Sequence, residues 1–183
     1  MTSSTESNGK RGINPWRAAG WGLAALLLLL PLAAMQLTAE VSWTAGDFIF
    51  AAMLFGIVGL ALELAVRASR NWAYRAGTGF AVAAGFLIVW VNGAVGMIGN
   101  EDNPYNLLFL GVIPLALIGA VLARFRAAGM AWAMALAGLA QAAIAIGGMP
   151  ADLRGGVLSA LLASLWLLSA ALYRNAAASA DSA

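Results

Sequence analysis

Cysteine and histidine are both absent from the 183-residue sequence. The first absence excludes thiol nucleophiles, disulfides and cysteine-ligated zinc or iron–sulfur centres. The second excludes histidine-ligated haem or copper and removes the side chain that most often shuttles protons near neutral pH. An enzyme built on this chain would have only carboxylates for acid–base or nucleophilic work. We therefore predict no enzymatic activity, no cofactor and no metal site.

Charged residues are also scarce, at 10% of the chain, whereas 62% of the residues are hydrophobic. Soluble domains usually carry about 25% charged residues, so a water-soluble fold of this composition would lack a polar coat. The net charge of +2 is too small to suggest a nucleic-acid partner. The composition therefore predicts a chain whose apolar surface faces lipid.

The apolar residues fall into six blocks of roughly 17–23 residues, the helix length that crosses a hydrocarbon core about 30 Å thick. We predict an all-α, polytopic membrane helical bundle over residues 16–174, between disordered tails at residues 1–15 and 175–183. Short connections favour antiparallel packing of sequential helices. Thr44 and Asp47 have the spacing of a capping box. The six predicted transmembrane helices cover residues 17–37, 47–66, 76–98, 104–123, 129–147 and 155–172.

The first block follows a basic N-terminal segment, as the apolar region of a signal peptide does. Its apolar run is longer than is usual in signal peptides, and no A-x-A cleavage site follows. We therefore expect an uncleaved transmembrane helix.

Ten basic residues predict the orientation of the chain. With six spans, only Arg154 falls on the side opposite the N-terminus, whereas a five-span arrangement would break this alternation. Because basic connections stay in the cytoplasm, we predict a bacterial inner-membrane protein with both termini cytoplasmic. The basic residues on the predicted cytoplasmic side are Lys10, Arg11, Arg17, Arg67, Arg70, Arg75, Arg124, Arg126 and Arg174.

The arginines of this side would form a basic rim at the membrane surface. Anionic lipid head groups are the simplest partners of such a rim. Small residues within the helices also permit close helix approach, so a homo-oligomer or a membrane-protein partner is a further expectation.

Glu63 lies within the second predicted helix, four residues before Arg67. A carboxylate at the centre of a span costs about 2.5–3.5 kcal/mol, and less near its ends, so a partner must offset that cost. The spacing favours an ion pair with Arg67, one helical turn on, with both charged groups reaching the interface. A proton- or ion-binding role is the alternative, since ionisable residues inside a membrane are functional candidates.

Asn92 and Gln141 place amide side chains within the third and fifth predicted helices. An amide in lipid needs a hydrogen-bond partner and often joins two helices. The two residues lie at similar predicted depth, so Gln141 is the predicted partner of Asn92 in a packing contact. Lining a polar cavity is the alternative role.

The most polar external segment spans residues 99–104 and contains Glu101 and Asp102 side by side. Asn103 followed by Pro104 predicts a helix start, with asparagine as the N-cap and proline in the first turn. The two acids then lie in solvent, near the positive end of the fourth helix. Binding of a divalent cation is the alternative, although the segment lacks the spacing of a calcium-binding loop.

Five stretches resemble a group of small, uncharacterised bacterial multi-pass inner-membrane proteins. The resemblance covers roughly the first five helices and implies a membrane location, but no activity is known for the group. The stretches are WTAGDFIF (43–50), ELAVR (63–67), YRAGTG (74–79), VWVNGAVGMIGNEDNPYN (89–106) and ARFRAAG (123–129).

Two functions compete on this sequence. The first is a non-enzymatic accessory or assembly component, favoured because the spans hold few polar groups and no catalytic constellation. The alternative is a small transporter or channel subunit with a polar path involving Glu63, Asn92 or Gln141. The two differ in whether those side chains meet in one water-filled cavity.

Overall fold

The computed structural model describes residues 15–181, and all regular structure within that range is helical. A single 3₁₀ turn, Pro104–Asn106, leads directly into α4. The helices are α1 (Pro15–Leu37), α2 (Ala45–Ala68), α3 (Trp72–Ala94), α4 (Leu107–Leu122), α5 (Ala127–Gly148) and α6 (Leu153–Asp181).

Each of the six helices, with the 3₁₀ turn counted into α4, is long and apolar enough to cross a membrane. The predicted all-α class and the six helices of spanning length are therefore confirmed, while the antiparallel arrangement stays a prediction. The third helix is shifted as a whole, because it begins and ends four residues before its predicted limits. The Asn71 side chain caps its start by accepting from the amides of Ala73 (2.8 Å) and Tyr74 (3.3 Å).

The predicted C-terminal tail is wrong within the described residues, since α6 continues to Asp181. Alanine has the highest helix propensity of all residues, and residues 176–178 and 180 are alanines. Ala176 is also buried, so packing holds the helix beyond residue 172. The predicted N-terminal tail lies outside the described residues, except for Pro15, which starts α1.

The chain divides into two compact units, Met1–Gly59 and Leu60–Ala183. In the first unit, α1 approaches α2 closely at Gly59, where a side-chain carbon would lie 2.8 Å from the Trp21 ring. The predicted capping box is present: the Thr44 amide donates to Asp47 Oδ2 (2.7 Å), and the Asp47 amide donates to Thr44 Oγ1 (3.3 Å). This exchange starts α2 at Ala45.

In the second unit, α5 packs against α4 and α6, and α6 also packs against α3. Small residues let the backbones approach, as is usual between membrane helices. A side-chain carbon at Gly119 would lie 2.7 Å from the Ala133 Cβ, and one at Gly138 would lie 2.8 Å from Leu167 Cδ2. The α5 residues Ala137 and Ala145 are fully buried.

The outward surface of this second unit is apolar. Large hydrophobic side chains expose more than half of their surface there, including Leu117, Val121, Trp132, Leu139 and Leu161. Such a surface is costly in water and favourable in lipid.

Candidate functional site

Glu63 forms an ion pair with Arg67, as the sequence predicts. The Arg67 Nε donates to Glu63 Oε1 at 2.8 Å, across one turn of α2. The Arg67 side chain is 69% exposed and that of Glu63 is 23% exposed. The arginine therefore reaches outward while it neutralises the carboxylate.

Gln141 lies at the centre of the second unit and is fully buried. Its Oε1 accepts from the Trp166 indole Nε1 at 2.7 Å, and its Nε2 donates to the Ser159 carbonyl oxygen at 3.1 Å. Both partners belong to α6. The side chain is thus a hydrogen-bonded link between α5 and α6, which matches the predicted packing role.

The predicted pairing of Asn92 with Gln141 is wrong. Both ends of the Gln141 amide bond to α6, and the Asn92 Nδ2 donates to the Ile88 carbonyl oxygen of its own helix at 2.7 Å. The Asn92 Oδ1 is buried and has no hydrogen-bond partner in the described part of the chain. The two amides were predicted at similar depth, but Gln141 faces α6. Ser159 and Trp166 of that helix supply both of its partners.

Further along α6, beyond Trp166, more polar contacts join this helix to α3. The Ser169 hydroxyl donates to the Gly77 carbonyl oxygen (2.7 Å), and the Thr78 and Tyr173 hydroxyls lie 2.7 Å apart. Ser169 and Tyr173 are both fully buried. Gly77 lacks a side chain where the Tyr173 ring passes, since a Cβ there would lie 3.2 Å from Tyr173 Cδ2.

The polar face of α6 was not predicted from the sequence. Ser159, Trp166, Ser169 and Tyr173 follow one another at intervals of seven, three and four residues. Such intervals place all four side chains on one face of a helix. The spacing was the available signal, but the surrounding leucines and alanines made the helix look uniformly apolar.

The segment 96–106 carries the acids that the sequence predicts to lie outside, and it is called the outer loop after that prediction. It packs against the ends of α5 and α6. Met97, Ile98 and Asn106 are buried in it. The Tyr105 hydroxyl donates to the Ile144 carbonyl oxygen (2.7 Å), and Ile98 lies over Gly148, where a Cβ would lie 2.7 Å from Ile98 Cδ1. The loop is therefore a packed part of the second unit.

Asn103 and Pro104 occupy their predicted places. The Asn103 Oδ1 accepts from the Tyr105 amide at 3.0 Å, and Pro104 opens the 3₁₀ turn that precedes α4. Glu101 and Asp102 lie exposed in the turn before this cap. Among residues 15–181, no three acidic side chains come close enough to hold a metal ion together.

Asp152 is the acid that holds the outer loop, and the sequence analysis did not single it out. Its Oδ2 accepts from the Gly99 amide at 3.0 Å, and its Oδ1 accepts from the Gly155 amide at 2.9 Å. These backbone donors, Gly155 first and then Gly99, lower the pKa of the Asp152 carboxyl because they stabilise its charged form. The residue joins the start of α6 to the loop after α3.

The opposite end of the second unit, the arginine end, is formed by the end of α2, the start of α3, the α4–α5 connection and the end of α6. The Tyr74 hydroxyl donates to the Phe125 carbonyl oxygen at 2.9 Å, which ties α3 to that connection. Arg75 closes the end of α2, because its Nε donates to the Ser69 carbonyl oxygen (2.7 Å) and its Nη2 to that of Val66 (3.1 Å).

Two clefts open at the arginine end, and neither is lined by Glu63, Asn92 or Gln141. The first has a volume of about 410 Å³ and is lined by polar and apolar residues of four segments. The second, of about 390 Å³, runs along α6 beside Arg174 and Asn175. The lining of the first consists of Ala68, Ser69, Asn71, Tyr74, Arg124, Phe125, Ala127, Ala176 and Ala180.

Comparison of the chain with protein-family models, with curated proteins and with solved structures finds no match.

Proposed function

We propose that this chain is a non-enzymatic integral membrane protein that acts as an accessory or assembly component, through contacts of its helices with lipid and with a membrane-protein partner or a second copy. The observation that carries this proposal is that Gln141 and Glu63 already have hydrogen-bond partners within the protein. Gln141 is bonded at both ends to α6, and Glu63 is bonded to Arg67. These side chains are used as helix-packing and interface contacts, not as a shared polar path.

The competing function, a small transporter or channel subunit, has one observation in its favour. The Asn92 Oδ1 is buried without a partner, and an unpaired acceptor in an apolar surrounding costs about 1–3 kcal/mol. A transported ion or a water chain could supply the missing donor. Within the described residues, however, Asn92 is not hydrogen-bonded to Glu63 or to Gln141, so these three side chains do not form one hydrogen-bonded path.

A flux measurement separates these two functions. The purified protein is reconstituted into liposomes, and proton and potassium flux are followed with entrapped dyes under an imposed gradient. We expect no flux above that of liposomes that contain the heat-unfolded protein. Flux that Asn92→Leu or Glu63→Gln abolishes, while the exposed change Glu101→Gln leaves it intact, would overturn the accessory role.

We also propose that the arginine end faces the cytoplasm of a bacterial inner membrane, with both termini on that side. Arg67, Arg70, Arg75, Arg124, Arg126 and Arg174 support this orientation, since they belong to the segments of that end, whereas Arg154 begins α6 at the other. Arginine and lysine residues near the ends of membrane spans are enriched on the cytoplasmic side.

Reporter fusions test the orientation. A reporter that is active only in the cytoplasm should be active after Ser179 and inactive within the outer loop at Glu101. The reverse pattern would contradict the proposed orientation. Equal activity at both sites would contradict the three spans, α4, α5 and α6, that separate the outer loop from the C-terminus.

A further inference from the structure

We propose that the cleft of about 410 Å³ at the arginine end binds the phosphate head group of an anionic phospholipid. The inference rests on the membrane location in the proposed function, but not on the accessory role. It assigns one site to the anionic lipid that the sequence places only along a basic rim.

The cleft offers hydrogen-bond donors that are not used elsewhere in the described chain. Within the described chain, the Arg124 guanidinium makes no ion pair or hydrogen bond, although it lines the cleft. The Asn71 Oδ1 is occupied as the cap of α3, so the free part of this side chain is its amide nitrogen. Ser69 accepts through Oγ from the Asn71 amide, which leaves its hydroxyl hydrogen available.

Two carbonyl oxygens of the cleft lining are already occupied. The Phe125 carbonyl oxygen accepts from the Tyr74 hydroxyl, and the Ser69 carbonyl oxygen accepts from Arg75. The unused donors of Arg124, Asn71 and Ser69 favour an anion, because each phosphate oxygen accepts hydrogen bonds.

The charge of the surrounding segments points the same way. Residues 60–75, 122–127 and 171–183 contain six arginines, with Glu63 and Asp181 as the acids. Glu63 is already bonded to Arg67. An anionic head group would therefore meet a surplus of positive charge, and guanidinium groups bind phosphate oxygens in pairs.

The backbone displays Arg124 at a conformational cost. Arg124 and Phe125 are consecutive residues with positive φ, at 50° and 57°, and this left-handed conformation is unfavourable for a residue with a side chain. The Tyr74 hydrogen bond to Phe125 holds the turn in place.

Apolar side chains beside the cleft distinguish a lipid from a free phosphate ion. Phe125, which lines the cleft, is 57% exposed, and Leu122, two residues before Arg124, is 78% exposed. An acyl chain can cover these residues while the head group meets Arg124, whereas inorganic phosphate gains nothing from them. The site thus places a charged group for the head group next to apolar side chains for an acyl chain.

Lipid titration of the purified protein tests the site. The full chain in neutral detergent is titrated with a short-chain phosphatidylglycerol, with the matching phosphatidylcholine and with inorganic phosphate, and bound lipid is counted by native mass spectrometry. We expect saturable binding of phosphatidylglycerol, and binding about 5-fold weaker in Arg124→Asn, since one arginine at a membrane surface contributes about 1 kcal/mol. Asparagine is chosen because it tolerates a positive φ.

Two further variants test whether the binding depends on the cleft itself or only on the positive charge of this end. Arg174→Gln removes the same charge at the same end but lies outside the cleft lining, and we expect it to bind like the wild type. Ala180→Leu adds bulk to the exposed wall of the cleft without a change in charge, and we expect it to bind at least 5-fold more weakly. Equal losses in Arg124→Asn and Arg174→Gln, or wild-type binding by Ala180→Leu, would overturn the site.

The control ligands decide between a lipid and a simple anion. Protection from thermal unfolding by inorganic phosphate at the same concentration would contradict a lipid site, and so would equal binding of phosphatidylcholine. Because the titration measures binding in detergent, its failure leaves the orientation and flux results untouched. Flux through the protein, in turn, would not change the lipid count.

Discussion

Replacement of Asn106 by alanine should lower the free energy of unfolding by about 3 kcal/mol and release the outer loop from the ends of α5 and α6. Asn106 is 4% exposed. Its Oδ1 accepts from the amides of Met97 (3.2 Å) and Ile98 (2.9 Å), and its Nδ2 donates to the Asn100 carbonyl oxygen at 2.7 Å.

The size of this effect follows from the groups that the change leaves unpaired. Alanine deprives two buried amides and one carbonyl oxygen of their partner, and each such loss costs about 1–3 kcal/mol when water cannot replace it. Asn106→Asp should be nearly as harmful, because a carboxylate oxygen would then face the Asn100 carbonyl oxygen.

Asn100→Ala is the matched control. The Asn100 side chain is exposed, and its carbonyl oxygen, which is the group that Asn106 uses, stays in place. Unfolding by dodecyl sulfate in mixed micelles, followed by circular dichroism, compares the two variants. Wild-type stability in Asn106→Ala, or an equal loss in Asn100→Ala, would show that the loop is not held through the Asn106 side chain.

The sequence predicted those features that depend on neighbours along the chain. The lengths of the apolar blocks predicted six spans, because lipid thickness alone imposes them. The Glu63–Arg67 pair, the Thr44–Asp47 capping box and the Asn103 cap each join residues two to four positions apart. Contacts of this range follow from helix geometry and need no knowledge of the fold.

The outer loop was beyond such reasoning, because its structure depends on backbone conformations and distant partners. Gly96 and Gly99 have φ angles of 78° and 73°, and a Cβ at Gly96 would clash with the Asn100 carbonyl group and the Asn106 side chain. These turns direct the amides of residues 97–99 toward Asn106 and Asp152. Asp152 is 53 positions from Gly99 in the chain, so no local pattern connects them.

The interior contacts were predicted in kind but not in pairing. That Gln141 serves packing followed from the cost of an amide in lipid, yet its partner could not follow from depth. Depth does not fix the direction in which a side chain points, and only the rotation of α6 decides that Trp166 faces Gln141 at 2.7 Å. Helix rotation depends on the whole interface, including Gly138 and its contact with Leu167.

The Gln141–Trp166 contact should be worth about 1 kcal/mol of coupling free energy between α5 and α6. Gln141→Leu keeps the volume but leaves the indole N–H buried without an acceptor, and Trp166→Phe leaves the Gln141 Oε1 without a donor. Each single change should destabilise the protein by more than the coupling, because the partner stays behind unpaired. Hydrogen bonds between membrane helices contribute about 0.6 kcal/mol on average and up to about 1.7 kcal/mol.

A double-mutant cycle of Gln141→Leu and Trp166→Phe, measured by unfolding in mixed micelles, tests most directly whether the buried polar groups hold the helices together. The account predicts that the double variant loses about 1 kcal/mol less stability than the sum of the two single losses, with helix content unchanged. Additive losses, or a Gln141→Leu variant that is as stable as the wild type, would contradict it.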